Sequence, residues 1–191
     1  TYAKRELGLQ VLTHINEEGR KPGLDPLTQS GKHTTIMKTE ALKTALITTE
    51  GRSFYSHSGI DLKGVLRAII RDLQAGAFVE GASTITQQLA KTLFLTPRKT
   101  LVRKIKEALL AFQLERRYTK DELLEFYLNQ VYFGSGAYGV ESAAQLFFGK
   151  SVSELNLAEC ALIAAMPKAP SRFSPLIDPG LAQKRRDIVL K

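Results

Sequence analysis

The sequence has a single cysteine, Cys160, and no long apolar run. One cysteine cannot form an internal disulfide framework, and it excludes a zinc site built from cysteines. The longest unbroken apolar run is seven residues, Cys160 to Met166, whereas a membrane-spanning helix needs about 20. The stretch from Thr1 to Arg20 also has no long apolar core. We therefore expect neither a transmembrane helix nor a signal peptide within these residues.

Several familiar catalytic motifs are missing as well. The phosphate-binding pattern Gly-x-x-x-x-Gly-Lys-Ser/Thr does not occur, and neither does the nucleophile pattern Gly-x-Ser-x-Gly. The three histidines, His14, His33 and His57, do not have the paired spacing of metal ligands. These absences disfavour a phosphate-loop nucleotide enzyme, a serine hydrolase of the α/β class and a histidine-rich metal site.

The composition is that of a folded, basic protein. The chain has 191 residues, 43% of them hydrophobic, which suits one domain with a real core and argues against disorder. Its 27 Lys and Arg against 19 Asp and Glu give a formal net charge of +8. This excess points to an anionic partner, which could be nucleic acid, an anionic membrane surface or a phosphorylated substrate.

Helical spacing of apolar residues dominates from Lys38 onward. No stretch of more than a few residues alternates with the period of a strand. Capping patterns predict helix starts at Thr84 with Gln87, at Thr119 with Glu122, and at Ser151 with Glu154 or Asn156 with Glu159. We also expect a helix over Ala137–Phe148. The predicted fold class is mainly α, with residues 1–35 as an N-terminal extended linker and residues 36–191 as the domain.

A dense basic region lies between Lys91 and Arg117. It contains two acids, Glu107 and Glu115, and eight basic residues: Lys91, Arg98, Lys99, Arg103, Lys104, Lys106, Arg116 and Arg117. On a helix, positions 103, 104 and 107 fall within about 100° of one another. They project opposite an apolar stripe through Ile105, Leu109 and Phe112. Residue types alone favour a solvated helix face with a surface ion pair between Arg103 and Glu107.

Two further stretches could carry chemistry. The run from Ser83 to Gln88 places hydroxyls and amides at a helix start, where free backbone N–H groups favour an anion, although simple capping explains the same residues. Glu50 closes a helix just before an aromatic cluster, so it is either a desolvated base or an ordinary solvated glutamate. His57, taken alone, is better explained as a structural imidazole than as a catalyst.

The order of five motifs resembles one family, the peptidoglycan glycosyltransferases of class A penicillin-binding proteins and monofunctional transglycosylases. The motifs are Glu50-x-x-x-Phe54-x-x-His57-x-Gly59, Gly81-x-Ser83-Thr84-Ile85-x-Gln87-Gln88, Arg103-Lys104-x-x-Glu107, Glu125-x-Tyr127-Leu128-Asn129 and Gly136-x-x-Gly139-x-x-x-Ala143-Ala144. Each is weak alone, but five in this order and spacing are very specific. The resemblance covers about Ala41 to Pro170, more than half of the chain.

The resemblance implies a lysozyme-like helical fold with a small membrane-facing hydrophobic lobe, for which Phe78, Val79 and the Leu93–Leu95 cluster are candidates. The implied substrate is lipid II, a disaccharide-pentapeptide on a polyprenyl pyrophosphate. The growing glycan is the donor and a fresh lipid II is the acceptor. The 4-hydroxyl of the acceptor N-acetylglucosamine attacks C1 of the donor N-acetylmuramic acid, polyprenyl pyrophosphate leaves, and the anomeric centre inverts.

The same resemblance implies roles for individual residues. Glu50 matches the catalytic base and Glu107 the second catalytic glutamate of the family. The substrate-binding candidates are Ser83, Gln88, Lys91, Lys99, Arg103 and Lys104. For His57 and Asn129 a structural role remains at least as good an interpretation. No metal ligands are predicted, and a divalent cation, Mg²⁺ or Mn²⁺, stays open as a cofactor.

The sequence departs from the family pattern at two positions. The residue after the catalytic glutamate is usually Asp and is Gly51 here, which removes a carboxylate beside the base. A position in the basic stretch that is often Arg is Lys99, which keeps the charge but loses the bidentate fork. Because Glu50 is intact, we expect an active enzyme.

The implied partners are lipid II, the growing glycan chain and a bacterial membrane surface, with no nucleic acid. The implied location is the extracytoplasmic face of the bacterial cytoplasmic membrane. We expect the chain to begin after an N-terminal membrane anchor, and a C-terminal transpeptidase domain could lie outside it. The alternatives are a lysozyme-like glycan-cleaving enzyme, an inactive domain that binds glycan or lipid II, and a helical module that binds nucleic acid.

Overall fold

The computed structural model describes residues 40–77, 81–95 and 100–191, and this part of the chain is mainly helical. The mainly α fold class is therefore confirmed. The predicted linker over residues 1–35, the lobe candidates Phe78 and Val79, and the binding candidate Lys99 lie outside the described residues. The predicted domain boundary at residue 36 stays a prediction.

The elements follow one another along the chain with short connections. The helices are α1 (Glu40–Glu50), α2 (Leu62–Ala75), α3 (Ile85–Phe94), α4 (Leu101–Arg117), α5 (Lys120–Gln130), α6 (Val140–Phe148), α7 (Leu157–Ala165), α8 (Pro170–Phe173) and α9 (Pro179–Val189). Strands β1 (Tyr132–Gly134) and β2 (Ala137–Tyr138) form an antiparallel pair between α5 and α6, and a 3₁₀ turn spans Val152–Glu154.

The predicted helix starts are confirmed by their capping contacts. Thr84 and Thr119 each accept a hydrogen bond from the backbone N–H of the residue three positions on, and each forms a complete capping box. Both alternatives near residue 155 exist, because Ser151 caps the 3₁₀ turn and Asn156 caps α7. Local sequence therefore accounts for where most of these helices begin.

The predicted helix over Ala137–Phe148 is wrong at its start, because Ala137 and Tyr138 form strand β2 and the helix begins at Val140. The preceding turn has positive φ at Gly134, Ser135 and Gly136, at 95°, 51° and 87°. This left-handed turn reverses the chain into a hairpin. With strands of three and two residues, the hairpin is too short to show strand alternation in the sequence.

The core is formed where helices from the beginning of the described residues pack against helices that follow later in the chain. Helix α1 packs against α7, and α3 packs against both α4 and α5. Fully buried leucines, including Leu42 and Leu46 of α1 and Leu124 and Leu128 of α5, fill the centre. Leu93 and Phe94 of α3 are partly buried against this core. Core packing of these two residues, the alternative to a place in the hydrophobic lobe, therefore has direct support.

Helices α2 and α4 both expose large apolar residues, and α4 in addition buries a charged one. On α4 the carboxylate of Glu107 is buried, at 3% exposure, while Leu101, Ile105 and Leu109 are more than half exposed. The interpretation of Arg103 and Glu107 as a solvated ion pair is therefore wrong. Helix α2 likewise exposes five large apolar residues, Leu62, Leu66, Ile69, Ile70 and Leu73. Among the described residues, no helix is long and apolar enough to cross a bilayer.

Candidate active site

Glu50 is the last residue of α1, and its carboxylate is largely buried. The side-chain amide of Gln88 on α3 donates from Nε2 to Oε2 of Glu50 at 3.1 Å. The other oxygen, Oε1, is buried and has no hydrogen-bond partner among the described residues. One oxygen of the carboxylate is thus held, and the other can accept a proton from a bound group.

The pKa of Glu50 is raised above its usual value because burial disfavours the charged form. The hydrogen bond from Gln88 and the positive charges of Lys168 and Arg185 act in the opposite direction but do not cancel this effect. A raised pKa makes the ionised carboxylate a stronger base than a solvated glutamate. This environment suits a residue that removes a proton from a hydroxyl.

A second cluster connects α4 to the loop before α3. Lys104 donates from Nζ to Oε2 of Glu107 at 2.8 Å and to Oγ of Ser83 at 2.5 Å. The Nε atom of Arg103 lies 3.5 Å from Oε1 of Glu107, within ion-pair range but without hydrogen-bond geometry. The buried carboxylate thus holds two cationic side chains in fixed positions beside the start of α3.

Four buried polar atoms in this region have no hydrogen-bond partner within the described residues. They are Oε1 of Glu50, Oε1 of Glu107, Nε of Arg103 and Nε of Arg185. Buried polar groups in native proteins are nearly always paired. These atoms therefore mark places where a bound polar molecule would find partners.

The first turn of α3 joins the carboxylate of Glu50 to the cationic cluster. Ser83 precedes the N-cap and contacts Lys104, while Gln88, five residues further on, contacts Glu50. Thr84 fixes this turn, because its hydroxyl donates to the Gly59 carbonyl at 2.7 Å and caps the helix. The helix start thus lies between the carboxylate of Glu50 and the two cationic side chains held by Glu107.

The ion pair between Glu115 and Lys120 helps to hold the segments that form this arrangement. Glu115 accepts hydrogen bonds from Lys120 at 2.6 Å and from the Thr86 hydroxyl at 2.6 Å. Lys120 also donates to the His57 carbonyl at 2.6 Å and lies 4.7 Å from the centre of the Phe54 ring. These contacts tie the segment after Glu50 to α3 and α5. Burial is the main cause that lowers the pKa of His57.

One candidate binding residue, Lys91, is not joined to these clusters by the described contacts. Lys91 is exposed on the last turn of α3, and among the described residues no hydrogen bond or ion pair joins it to Glu50 or Lys104. Lys99 lies outside the described residues. Across residues 40–77, 81–95 and 100–191, no group of three His, Cys, Asp or Glu side chains is placed to hold a metal ion. The described residues therefore do not fit a protein-held divalent cation.

Gly51 has an ordinary backbone conformation, so its lack of a side chain is not required by the turn. A Cβ atom built there would lie 3.5 Å from Cδ1 of Ile85 and 3.7 Å from Cβ of Phe54, which are ordinary contacts. An aspartate could therefore place its first side-chain atom here without backbone strain.

Lys168, Arg185 and Tyr127 contribute to the site, and sequence reasoning did not assign them a role. Lys168 lies between Pro167 and Pro170 after α7, where the sequence showed only a helix stop. Arg185 lies on α9, outside the stretch that carries the five motifs. The sequence signal that could have indicated Lys168 and Arg185 is that charged residues follow the last motif, on a segment that contains several prolines.

Comparisons with known proteins agree with this geometry. The sequence model of the family described as Transglycosylase matches residues 27–191. Penicillin-binding protein 1A of Aquifex aeolicus is 57% identical over 147 residues, 77% of this chain and 20% of that protein. Penicillin-binding protein 1F of Bacillus subtilis is 53% identical over 149 residues, 78% of this chain and 21% of that protein.

The family match covers most of the chain, so the chain belongs to the transglycosylase family. Penicillin-binding protein 1A of Escherichia coli is a further relative, 53% identical over 146 residues, 76% of this chain and 17% of that protein. The chain thus spans about a fifth of the length of these relatives. Its enzyme class is that of the glycosyltransferases.

The positive charge of Lys168 should contribute to the pH below which activity is lost. Lys168 lowers the pKa of Glu50, so Lys168→Met removes that charge and raises the pKa further. A base must be ionised, so the pH of half-maximal turnover on the acid side should move upward. The measurement is a pH–rate profile of glycan transfer. Lys184→Met, a change at an exposed position of α9, is the control and should leave the midpoint in place.

Proposed function

We propose that this domain polymerises lipid II into glycan strands by inverting transfer from a polyprenyl-pyrophosphate-linked donor. The observation that carries the proposal is that two groups lie around the first turn of α3. One is the buried carboxylate of Glu50, which has a free oxygen, and the other is a pair of cations, Lys104 and Arg103, held by the buried Glu107. The carboxylate suits a hydroxyl that must lose a proton, and the cations suit a pyrophosphate that gains charge as it leaves.

In the proposed reaction, Oε1 of Glu50 accepts the proton of the acceptor's 4-hydroxyl. The acceptor oxygen forms a bond to C1 of the donor sugar as the bond from C1 to the pyrophosphate oxygen breaks. The leaving pyrophosphate takes that electron pair, and Lys104 and Arg103 stabilise its charge. Attack opposite the leaving group inverts the anomeric centre.

Glu107 and Gln88 have supporting parts in this proposal. Glu107 holds Lys104 through a 2.8 Å hydrogen bond, so it orients the cation that meets the donor. Gln88 holds Glu50, and its amide oxygen is engaged by Tyr127. We therefore assign Gln88 the role of holding the base, Glu50. Ser83 keeps its assigned role of contacting the donor substrate, because its hydroxyl lies beside Lys104.

The alternatives explain less of the site. A glycan-cleaving enzyme needs a carboxylate pair but has no use for cations held on a buried glutamate. A nucleic-acid-binding module would carry its positive charge on a solvated face, whereas Arg103 is largely buried, with 18% side-chain exposure. An inactive binding domain would not need a carboxylate with one free buried oxygen.

We further propose that α2 and α4 contact an anionic bilayer through their exposed apolar residues. Helix α2 carries Lys63, Arg67 and Arg71 in addition to its five exposed apolar residues. Apolar residues together with basic ones on one helix are typical of segments that lie in a membrane interface. A lipid-linked substrate would then reach the active site without leaving the bilayer.

The wider setting of the domain follows from the same proposal. A lipid-linked precursor that is built into the cell wall is used at the extracytoplasmic face of the bacterial cytoplasmic membrane, and we place the domain there. The relatives named above are penicillin-binding proteins about five times as long as the matched region. We therefore propose that the parent protein carries a C-terminal transpeptidase domain beyond this chain.

The test of the base is Glu50→Gln. The change keeps the side-chain shape and removes the proton acceptor, and a general base is worth about 10²–10⁴-fold. We expect polymerisation of labelled lipid II to fall by that factor, with the melting temperature and donor binding little changed. Glycan synthesis at near the parental rate would show that Glu50 is not the base.

The test of the pyrophosphate contact compares two lysines of α4. Lys104→Ala should lower kcat as well as weaken donor binding, by about tenfold or more, because a contact to a charged group is lost. Lys106→Ala removes the same charge from the same helix at a position rotated by about 200° and should change little. Lys104→Arg keeps the charge and should recover part of the loss.

Because Lys104→Ala also removes a partner of the buried Glu107, thermal unfolding of each variant is measured alongside polymerisation. Equal, small effects of the two alanine substitutions on turnover would contradict the pyrophosphate assignment.

The membrane contact is tested by changing two exposed apolar residues of α2, Leu66→Gln with Ile69→Gln. Both positions are exposed, so folding stability should change by less than about 0.5 kcal/mol per site. Sedimentation with vesicles rich in phosphatidylglycerol should show binding weakened by about tenfold or more. The control pair, Leu176→Gln with Ile188→Gln, lies elsewhere on the exposed surface. Equal loss in both pairs would argue against a bilayer contact at α2.

A further inference from the structure

Tyr127 of α5 is a buried residue whose hydroxyl reaches the active site. Its side chain is 1% exposed, and Oη donates to Oε1 of the Gln88 amide at 3.1 Å. The same amide donates from Nε2 to Oε2 of Glu50, also at 3.1 Å. A chain of two hydrogen bonds therefore runs from the core of α5, through α3, to the end of α1.

The chemistry of the three groups gives this chain a direction. An ionised carboxylate only accepts hydrogen bonds, so the NH₂ end of the amide must face Glu50. The carbonyl end then faces Tyr127, and the phenol O–H must donate to it. The phenol stays protonated, because burial raises the pKa of Tyr127 well above its usual value.

The reverse direction is less favourable with tyrosine in place. If Glu50 were protonated, its O–H could donate to the amide carbonyl after the amide had turned over. The NH₂ group would then face the phenol oxygen, which shares a lone pair with the ring and accepts poorly. Tyr127 thus favours the amide orientation that suits the ionised carboxylate.

We propose that Tyr127 is a positioning residue that fixes the orientation of the Gln88 amide and thereby keeps its NH₂ group directed at Oε2 of the ionised Glu50 carboxylate. This inference rests on the proposed function, in which Glu50 is the base. Tyr127 touches neither substrate nor the reacting atoms, and it acts only through Gln88.

Other groups act on Glu50 and stay unchanged in the test. Among the described residues, the charges that favour its ionised form are those of Lys168, before α8, and Arg185, on α9. Gln88 approaches from α3 and Tyr127 from α5. A change confined to the Tyr127 hydroxyl therefore separates the effect of amide orientation from that of the two cations.

The experiment uses Tyr127→Phe, which keeps the buried ring and removes the donor. The amide can then turn over, the ionised form of Glu50 loses a fixed partner, and its pKa rises. On the acid limb of the pH profile, we expect kcat for lipid II polymerisation to fall by about two- to tenfold, because less of Glu50 is ionised when the worth of one hydrogen bond is lost. KM should change little, and the acid limb of the kcat profile should move to higher pH. Tyr118→Phe, at a half-buried tyrosine packed edge-on against Phe126, is the matched control.

A second measurement does not depend on activity. The side-chain carboxyl ¹³C signal of Glu50, assigned by its loss in Glu50→Gln, is followed by NMR as a function of pH in the parent, Tyr127→Phe and Tyr118→Phe. An upward shift of the midpoint in Tyr127→Phe alone supports the proposal. An unchanged midpoint, or a rise in KM with kcat intact, overturns it. If the parent does not polymerise lipid II, the proposed function fails, and the titration still decides the role of Tyr127.

Discussion

The hydrogen bonds around the first turn of α3 are the constraint on which the candidate site depends. Thr84 caps the helix and also donates to the Gly59 carbonyl, so the turn cannot move relative to the segment after Glu50. Ser83 and Gln88 then reach in different directions, one to a cation and one to the carboxylate. One locally specified helix start thus sets the positions of groups from three helices.

The cost of burying charge explains why so much polar structure surrounds that turn. Each buried carboxylate needs partners, because an unpaired charge in a protein interior is expensive. Glu115 is met by Lys120 and Thr86, and Glu107 by Lys104. Among the described residues, Glu50 has only the Gln88 amide within hydrogen-bond distance. Burial raises its pKa because this amide compensates the carboxylate only in part, and a raised pKa suits the role of base proposed for it.

The exposed apolar residues of α4 follow from the same distribution of charge. Helix α4 holds Arg103 and Lys104 on the buried Glu107 beside the start of α3, and its large apolar residues Leu101, Ile105 and Leu109 are left exposed. An exposed apolar surface of this kind marks an interaction site or favours aggregation. In the proposed function, which takes a lipid-linked substrate, the same exposure would offer a surface for the membrane.

The sequence by itself determined most of the predicted helix starts and the order of the motifs. The pairs Thr84 with Gln87 and Thr119 with Glu122 act over three residues, so their effect is local and can be read without the fold. Only the tertiary structure decided which face of α4 points inward. An amphipathic pattern indicates that the two faces of a helix differ, but it does not indicate what packs against each face. It also decided that Gln88 contacts Glu50, 38 residues away, since such a contact depends on how the helices pack.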